Sequence, residues 1–257
     1  MKAVILAGGR GTRISEESQD RPKPMVEIGG HPIIWHIMKI YESAGFNEFI
    51  VLLGYKGYMI KEYFANYFLH TTDVTIDLET DTVSTLNSRS EPWKVTLLNT
   101  GLNTMTGGRL LRARDYIGND TFSFTYGDGV ANIDVNDVVA FHKNSGSIAT
   151  VTAVQPPGRF GTLDISDGYA AFSEKPQGSS GWVNGGFFVA SPKILDYIDG
   201  DSTLLEQQPL ERLSAEGQLT AYKHQGFWRG MDTIWDKIYL NDLWAQGDPP
   251  WKRWDSE

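Results

Sequence analysis

A short apolar run that ends in glycine opens the chain and limits what the chain can fold into. Residues 3–7 are all apolar, and Gly8, Gly9 and Gly11 follow them. A continuous apolar run of this length predicts a strand that is buried on both faces, as in a parallel sheet. Glycines directly after such a strand let the backbone approach a ligand closely, because no Cβ intervenes. The sequence therefore predicts a parallel sheet with a binding turn at the end of its first strand.

Strand and helix patterns alternate after this turn. Residues 32–44 have a helical apolar face, residues 49–53 form a second buried strand pattern, and residues 59–69 are again helical. This alternation indicates right-handed βαβ units with helices on both faces of the sheet. We expect a three-layer, Rossmann-like α/β domain with a mostly parallel mixed sheet.

The pattern changes later in the chain. Alternating apolar residues flank a polar stretch at 81–91, and residues 149–189 are mostly strand and turn. Helical patterns return at 108–117, 204–215 and 233–244. No repeat or linker-like tract interrupts the sequence. We predict a single α/β domain over the whole chain, with an inserted β region and a helical C-terminus.

Composition and charge exclude several classes of function. The net charge of −9 disfavours general binding to nucleic acids or membrane surfaces. The chain has no Cys, which excludes disulfides and thiolate chemistry. No stretch approaches the ~18 apolar residues of a membrane span, and the five His show no metal-ligand spacing. We therefore expect a cytoplasmic protein without nucleic-acid or membrane partners.

Positive charge is concentrated around the glycine turn. Arg10, Arg13, Arg21 and Lys23 lie within 14 residues, as a triphosphate with a leaving diphosphate would need, and a glycine turn with solvated surface arginines is the alternative. The P-loop pattern fails, because Thr-Arg follows the last glycine where Lys-Ser/Thr is required. The dinucleotide fingerprint lacks its third glycine, which disfavours a nicotinamide dehydrogenase.

Five motifs resemble, in order, those of the sugar-nucleotidyltransferase family, the nucleotide-sugar pyrophosphorylases. They are AGGRGTR at 7–13 with KPM at 23–25, YGDG at 126–129, EKP at 174–176, NGGFF at 184–188 and MDT at 231–233. The resemblance implies in-line transfer of a nucleotidyl group to a sugar 1-phosphate with release of diphosphate. Such chemistry needs charge neutralisation and alignment more than a covalent nucleophile.

Two departures from the common family pattern indicate a branch. Residues 14–18 read Ile-Ser-Glu-Glu-Ser where many relatives carry Leu-x-Pro-x-Thr, and Gly129 stands where they carry Asn. With TGGR at 106–109, the aromatic segment 54–70 and the Trp-rich C-terminal end, these features resemble the family's cytidylyltransferase branch. That resemblance implies CTP and glucose 1-phosphate as substrates and CDP-glucose as product, for deoxysugar and O-antigen polysaccharide precursors. A uridylyl- or thymidylyltransferase of the same fold, and a non-catalytic nucleotide-sugar-binding regulatory subunit, are the alternatives.

The same resemblance divides the single domain, 1–257, into two parts. Residues 1–130 would bind the nucleotide and residues 131–257 the sugar. The implied nucleotide-binding residues are Leu6, Ala7, Gly8, Gly9, Arg10, Gly11, Thr12, Arg13, Lys23, Thr106, Gly107, Arg109 and Asp128. The implied sugar-phosphate-binding residues are Glu174, Lys175, Asn184 and Gly185.

Arg13 and Lys23 are the implied catalytic residues. Arg13 would bind the β- and γ-phosphates, and its alternative is a surface ion pair with Glu16 or Glu17. Lys23, which two prolines restrict, would meet the α-phosphate and the attacking phosphate. A rigid surface loop is the alternative for Lys23.

Asp128 and Asp232 are the implied ligands of one Mg²⁺. Carboxylates with phosphate and water oxygens are the ligands that Mg²⁺ prefers. Either aspartate could instead cap a helix, and Asp232 in particular could cap the helix near Thr233.

Base and sugar contacts are the remaining expectations. Arg109 would donate to O2 and N3 of cytosine beside Thr106, with a helix-surface arginine as the alternative. Backbone carbonyls near Leu6 and Ala7 would accept from the N4 amine.

In the sugar part, Glu174 would bind sugar hydroxyls and Lys175 the sugar phosphate, unless the two form a turn-stabilising ion pair. Asn184 and Gly185 would line the hexose pocket, and a β-bulge is the alternative for Gly185.

The aromatic segment 55–70 predicts a subunit contact. Its helical apolar stripe is wider than packing on one sheet face needs, and Tyr58 and Tyr67 are in excess beside Phe64 and Phe68. Exposed aromatic stripes usually mark interfaces, and the resembled branch is oligomeric. We expect a homo-oligomer, with a hexamer favoured, that uses this segment or the loop after it. Packing against the chain's own 81–91 stretch is the alternative.

Overall fold

The computed structural model describes residues 1–11, 20–86, 91–156, 162–166, 169–173 and 181–254. The predictions for Thr12, Arg13, Glu174 and Lys175 lie outside the described residues.

Strands and helices alternate along the described residues. In chain order they are β1 (Lys2–Ala7), β2 (Glu27–Ile28), β3 (His31–Pro32), α1 (Ile33–Glu42), β4 (Glu48–Leu53), α2 (Gly57–Ala65), α3 (Tyr67–Thr71), β5 (Asp73–Asp77), β6 (Thr82–Leu86), β7 (Lys94–Asn99), α4 (Thr106–Arg112), α5 (Arg114–Ile117), β8 (Phe122–Tyr126), β9 (Gly129–Ala131), α6 (Val135–Ser145), β10 (Ala149–Val154), β11 (Thr162–Ser166), β12 (Tyr169–Ser173), β13 (Val183–Ala190), α7 (Gln208–Ala215), β14 (Leu219–His224), β15 (Trp228–Gly230) and α8 (Ile234–Ala245). Short 3₁₀ turns occupy Lys23–Met25 and Pro192–Tyr197.

Seven strands form the main sheet in the order β14-β10-β13-β8-β1-β4-β7. Strand β1 lies between β4 and β8 and is parallel to both. Strand β13 is antiparallel to β8 and β10, whereas β7 and β14 pair in parallel with β4 and β10. The predicted mostly parallel mixed sheet is confirmed, with the apolar first strand near its centre.

Helices cover both faces of this sheet. Alternate residues of β1 point to opposite sides: Ile5 joins a core with α1, α6 and α8, and Val4 joins a core with α4, α5 and α7. The continuous apolar run therefore reflects burial on both faces, as predicted. The three-layer, Rossmann-like architecture and the helical C-terminus are confirmed.

Three predicted helices differ from the observed ones. The pattern at 59–69 is split at Asn66 into α2 and α3, and the pattern at 108–117 is split at Ala113 into α4 and α5. The pattern at 204–215 begins only at Gln208, because Pro209 stands in the first turn. Residues 204–207, which the pattern assigns to the helix, instead form a loop that reaches the candidate site.

The inserted β region is a separate hairpin. Strands β5 and β6 pair with each other and not with the main sheet. The polar stretch at 81–91 was expected to be an excursion, but its first part is strand β6. Ile76, Leu78, Val83 and Leu86 of the hairpin are all exposed.

Candidate active site

A cavity of about 580 Å³ opens at the carboxyl ends of β1 and β8. After β1 the chain continues to β4 on one side of this point, and after β8 it continues to β10 on the other side. Ligands bind at such points in open α/β sheets. The described residues that line it are Leu6, Ala7, Gly8, Gly9, Gly11, Lys23, Pro24, Thr104, Met105, Thr106, Arg109, Tyr126, Gly127, Asp128, Asn184, Leu204, Glu206, Trp228, Gly230 and Asp232. The structure thus gathers eleven residues that were predicted from the sequence around one cavity.

Gly8 is required here for a second reason besides close approach to a ligand. A Cβ at this position would overlap the guanidinium of Arg109, which lies flat against the turn. Arg109 Nη2 and the Tyr55 backbone N–H both donate to the Gly8 carbonyl oxygen, at 3.0 and 3.2 Å. These bonds fix the peptide plane that follows the first strand.

Arg109 joins the ends of three strands below the cavity. Its Nη1 donates to the carbonyl oxygens of Leu53 and Gly101 and to the hydroxyl of Thr100, at 2.7–3.0 Å. Burial lowers the pKa of Arg109, and the neighbouring Arg112 charge adds to that effect. Arg109 lines the cavity as predicted, but it is a buried cross-link and not a helix-surface arginine.

Lys23 places its ammonium between two carboxylates. Its Nζ lies 2.6 Å from Asp128 Oδ2 and 2.8 Å from Asp232 Oδ1. The lysine side chain is only 10% exposed. Burial opposes the charged form, but attraction to Asp128 and Asp232 outweighs it and raises the pKa of Lys23. The lysine is therefore a fixed positive charge in the cavity wall.

The fold supplies these three residues from distant segments. Pro22 and Pro24 frame the 3₁₀ turn, in which the Met25 N–H donates to Pro22 O at 2.8 Å. Asp128 lies between β8 and β9, and a short antiparallel ladder pairs β9 with β15. The Met231 N–H donates to Asp128 O at 2.8 Å, which extends that ladder to the second carboxylate.

The two carboxylates fit one divalent cation. Asp128 and Asp232 contact the same ammonium, so their oxygens already converge on a single positive charge. The described residues contain no group of three or more His, Cys, Asp or Glu side chains that could hold a metal ion. One or two carboxylates completed by phosphate and water oxygens are what Mg²⁺ commonly uses. Neither aspartate caps a helix: Thr233 caps α8, and Asp128 is followed by strand β9.

Nine of the lining residues were not predicted as site residues, and three of them, Tyr126, Glu206 and Trp228, make side-chain hydrogen bonds there. Tyr126 donates to Glu206 Oε1 at 2.6 Å, and Thr106 Oγ1 donates to Glu206 Oε2 at 2.7 Å. Burial and the Glu206 carboxylate raise the pKa of Tyr126, so the phenol is a neutral donor. Trp228 donates to Gly185 O at 2.7 Å. Tyr126 stood in a quoted motif, but nothing in the local pattern marked Glu206.

Three predicted residues do not line the cavity. Arg10 is exposed and donates to Asn103 Oδ1 at 3.2 Å. Gly107 packs on the backbone of Thr203, which a Cβ would strike. Gly185 lies where the pairing of β13 with β10 is irregular, and a Cβ there would press on Val154. The irregular pairing is compatible with the β-bulge alternative, and a contact of Gly185 with the sugar stays a prediction.

In the part of the chain that the structure describes, no helix combines the length and the apolar character that crossing a bilayer requires.

Known proteins resemble this chain in sequence and in fold. The chain is 56% identical to glucose-1-phosphate cytidylyltransferase of Salmonella typhi over 257 residues, covering 99% of this chain and 100% of the relative. The protein of that name from Salmonella typhimurium gives the same values. UDP-glucose pyrophosphorylase from Acinetobacter baumannii has a similar fold, with a TM-score of 0.70 at 18% identity, covering 98% of this chain and 95% of that structure.

The family model described as nucleotidyl transferase matches residues 2–236. That span includes the glycine turn, Lys23 and both carboxylates of the cavity. The chain therefore belongs to the nucleotidyl transferase family.

Proposed function

We propose that the chain transfers the cytidylyl group of CTP to α-D-glucose 1-phosphate, giving CDP-glucose and diphosphate. The observation that carries the proposal is the Lys23 ammonium between Asp128 and Asp232, beside the glycine turn. The full-length Salmonella relatives, by their names, support the cytidylyl donor and the sugar phosphate. A phosphate oxygen of the sugar phosphate attacks the α-phosphorus, the bond to the bridging oxygen breaks, and diphosphate leaves.

Lys23 is the described residue best placed to stabilise charge during the transfer. Its buried ammonium faces the space next to the Gly8–Gly9 backbone, where N–H groups can meet phosphate oxygens. Arg13 retains its predicted role on the β- and γ-phosphates. When bound between Asp128 and Asp232, Mg²⁺ would neutralise phosphate charge and align the reacting groups.

The base would lie over the turn beside Arg109. A guanidinium has five N–H donors, and Arg109 uses Nη1 and one Nη2 hydrogen for carbonyl and hydroxyl oxygens. The remaining donors suit O2 and N3 of cytosine. Thr106 borders the same region of the cavity.

The sugar would lie on the side of the cavity formed by Asn184, Tyr126 and Trp228. Asn184 donates weakly to the Tyr126 hydroxyl, at 3.4 Å, so the two side chains are neighbours. Glu174 and Lys175 keep their predicted roles toward sugar hydroxyls and phosphate. We also propose that the product feeds deoxysugar and O-antigen precursors, and that the reaction takes place in the cytoplasm, where CTP is made.

The donor preference can be measured directly. With Mg²⁺ and glucose 1-phosphate, CTP should release diphosphate faster than UTP or dTTP, because an arginine can pair with both acceptors of cytosine. Diphosphate release is followed for each nucleotide, with omission of the sugar phosphate as the control. A tenfold advantage for UTP or dTTP would reject the cytidylyl assignment. No release with any nucleotide would support the non-catalytic alternative.

We further propose that the chain forms a homo-oligomer, with a hexamer favoured. The β5–β6 hairpin exposes Ile76, Leu78, Val83 and Leu86, and Leu78 is 89% exposed. Two-stranded hairpins are marginally stable alone, and contiguous exposed apolar residues usually contact a partner. Tyr58 is 73% exposed, as predicted. The same expectation for Tyr67 is wrong, because Trp35 donates to its hydroxyl at 2.9 Å.

Light scattering behind a sizing column tests this assembly. The mass should be about six times the 28.7 kDa chain, and Leu78→Lys should lower it by placing charge in the contact. Tyr116→Lys, at an exposed tyrosine on α5, is the matched control and should leave the mass unchanged. A wild-type mass of one chain at micromolar concentration would contradict the proposal.

A further inference from the structure

Asp236 is a buried carboxylate that no catalytic role requires. It lies in the first turn of α8, four residues after Asp232, and is 9% exposed. Its Oδ2 accepts from the backbone N–H groups of Asp232 and Thr233, at 3.1 and 2.9 Å, and from the Thr233 hydroxyl at 2.8 Å. Its Oδ1 accepts from Arg229 Nε at 2.8 Å, with Arg229 Nη2 at 2.7 Å. The Asp236 side chain therefore bonds to both ends of the turn that carries Asp232, to Arg229 before it and to Thr233 after it.

These contacts exceed what a helix cap uses. A capping box needs one bond from the N3 side chain back to the N-cap N–H, which here belongs to Thr233. The additional bonds reach Asp232 itself and Arg229 of β15. Arg229 pairs with Val130 of β9 in the ladder that starts beside Asp128. Asp236 thus connects the backbone of Asp232 to β15, and β15 pairs with β9, the strand that follows Asp128.

We propose that Asp236 is a positioning residue that sets the direction of the Asp232 carboxylate toward the cation site. This inference rests on the proposed metal role of Asp128 and Asp232. Fixing the Asp232 N–H and the Arg229 side chain removes the freedom of the intervening turn, so Asp232 Oδ1 is held 2.8 Å from the ammonium that marks the site. Asp236 is not among the described residues that line the cavity.

The role of Asp236 requires a side chain that only accepts hydrogen bonds. All five groups directed at it are donors, and a carboxylate is acceptor-only. Asp236→Asn has nearly the same shape, but its amide NH₂ would face either the Arg229 guanidinium or the two backbone N–H groups. The turn should then relax, and Asp232 should lose its direction while remaining in the chain.

Cation binding and turnover together test the proposal. Free Mn²⁺ is measured by electron paramagnetic resonance with the protein and the non-reactive α,β-methylene analogue of CTP. Asp236→Asn should weaken Mn²⁺ binding by about tenfold or more, as observed when groups that orient metal ligands are removed. The Mg²⁺ concentration for half-maximal diphosphate release should rise by a similar factor, and turnover at saturating Mg²⁺ should recover to within about threefold.

Two control variants separate positioning from helix stability. Asp242→Asn changes an exposed aspartate on the same helix and should bind Mn²⁺ like the wild type. Thr233→Ala removes the cap hydroxyl but keeps both backbone bonds to Asp236, so its thermal stability should fall with little change in Mn²⁺ affinity. Arg229→Lys leaves Asp236 in place and should weaken Mn²⁺ binding less than Asp236→Asn does.

Several outcomes would overturn the proposal. Wild-type Mn²⁺ affinity in folded Asp236→Asn would show that the carboxylate does not position Asp232. A Thr233→Ala variant as defective as Asp236→Asn would show that helix capping alone accounts for the effect. If Asp236→Asn does not fold, unchanged affinity in Arg229→Lys would reject the link through β15. Absence of Mn²⁺ binding by the wild type would instead reject the metal role itself.

Discussion

Asp128→Asn should lower turnover by about 100-fold or more at saturating CTP, glucose 1-phosphate and Mg²⁺. The change keeps the side-chain shape but removes one of the two negative charges that converge on Lys23. It leaves the protein with one carboxylate for the cation, and asparagine is a weaker ligand for Mg²⁺. Folding should change little, because Asp128 is a third exposed and Lys23 keeps its contact with Asp232. Diphosphate release and circular dichroism melting measure the two effects.

Lys23→Ala should reduce turnover more than it weakens CTP binding, if the ammonium acts chiefly on charge that develops during transfer. Asp115→Asn, at an exposed aspartate on α5, is the matched control for the charge change and should keep wild-type rates. Near-normal turnover in both Asp128→Asn and Lys23→Ala would mean that the cavity described above is not where the reaction occurs.

Trp251→Ala should lower the free energy of unfolding by about 3–5 kcal/mol, the range for truncating a large buried aromatic side chain to alanine. Trp251 is fully buried, and its ring stacks on Phe227 with centroids 5.7 Å apart. It also donates to His36 Nδ1 at 3.3 Å. Burial lowers the pKa of His36 to about 3, so the imidazole is neutral and its Nε2–H is the donor to Ile28 O. Deleting the indole would leave a cavity and an unsatisfied ring nitrogen.

Urea unfolding followed by far-ultraviolet circular dichroism measures this loss. Trp235→Ala is the matched control, because Trp235 is 74% exposed and its removal should change the free energy by less than about 0.5 kcal/mol. Equal effects of the two substitutions would show that the C-terminal segment does not contribute to the main core.

The parts of the molecule that depend on local pattern were predictable. The first strand, the glycine turn and the helices of the C-terminus follow from runs, periodicity and turn residues. Lys23, Asp128 and Asp232 could be grouped only because separate motifs resemble one family, since 104 residues separate the two aspartates. The structure places them around one ammonium. Residue roles at Arg13, Glu174 and Lys175 stay predictions, as does the division of the domain near residue 130.

Residues that act through long-range contacts could not be read from the sequence. Glu206 lies in what appeared to be the first turn of a helix, and only the late start of α7 places it in the cavity. Arg109 was predicted beside the base, but its bonds to Gly8, Leu53 and Gly101 depend on three strands ending side by side. Asp236 carries no motif beyond its distance from Thr233. For Glu206 and Arg109 the partners are set by the order of the strands, which local periodicity does not encode, whereas the partners of Asp236 lie within seven residues of it.

The bond between Trp251 and His36 also has a consequence for synthesis of the chain. The two residues are 215 positions apart, and ribosomes add about 5–20 residues per second, so roughly 10–40 s pass between their appearances. During that interval the aromatic surface of α1 around Trp35 and His36 lacks its final cover. The nascent chain therefore exposes this aromatic surface to aggregation and proteolysis until residue 251 emerges. Messages that end before codon 251 should yield protein that is degraded, and not a partly active enzyme.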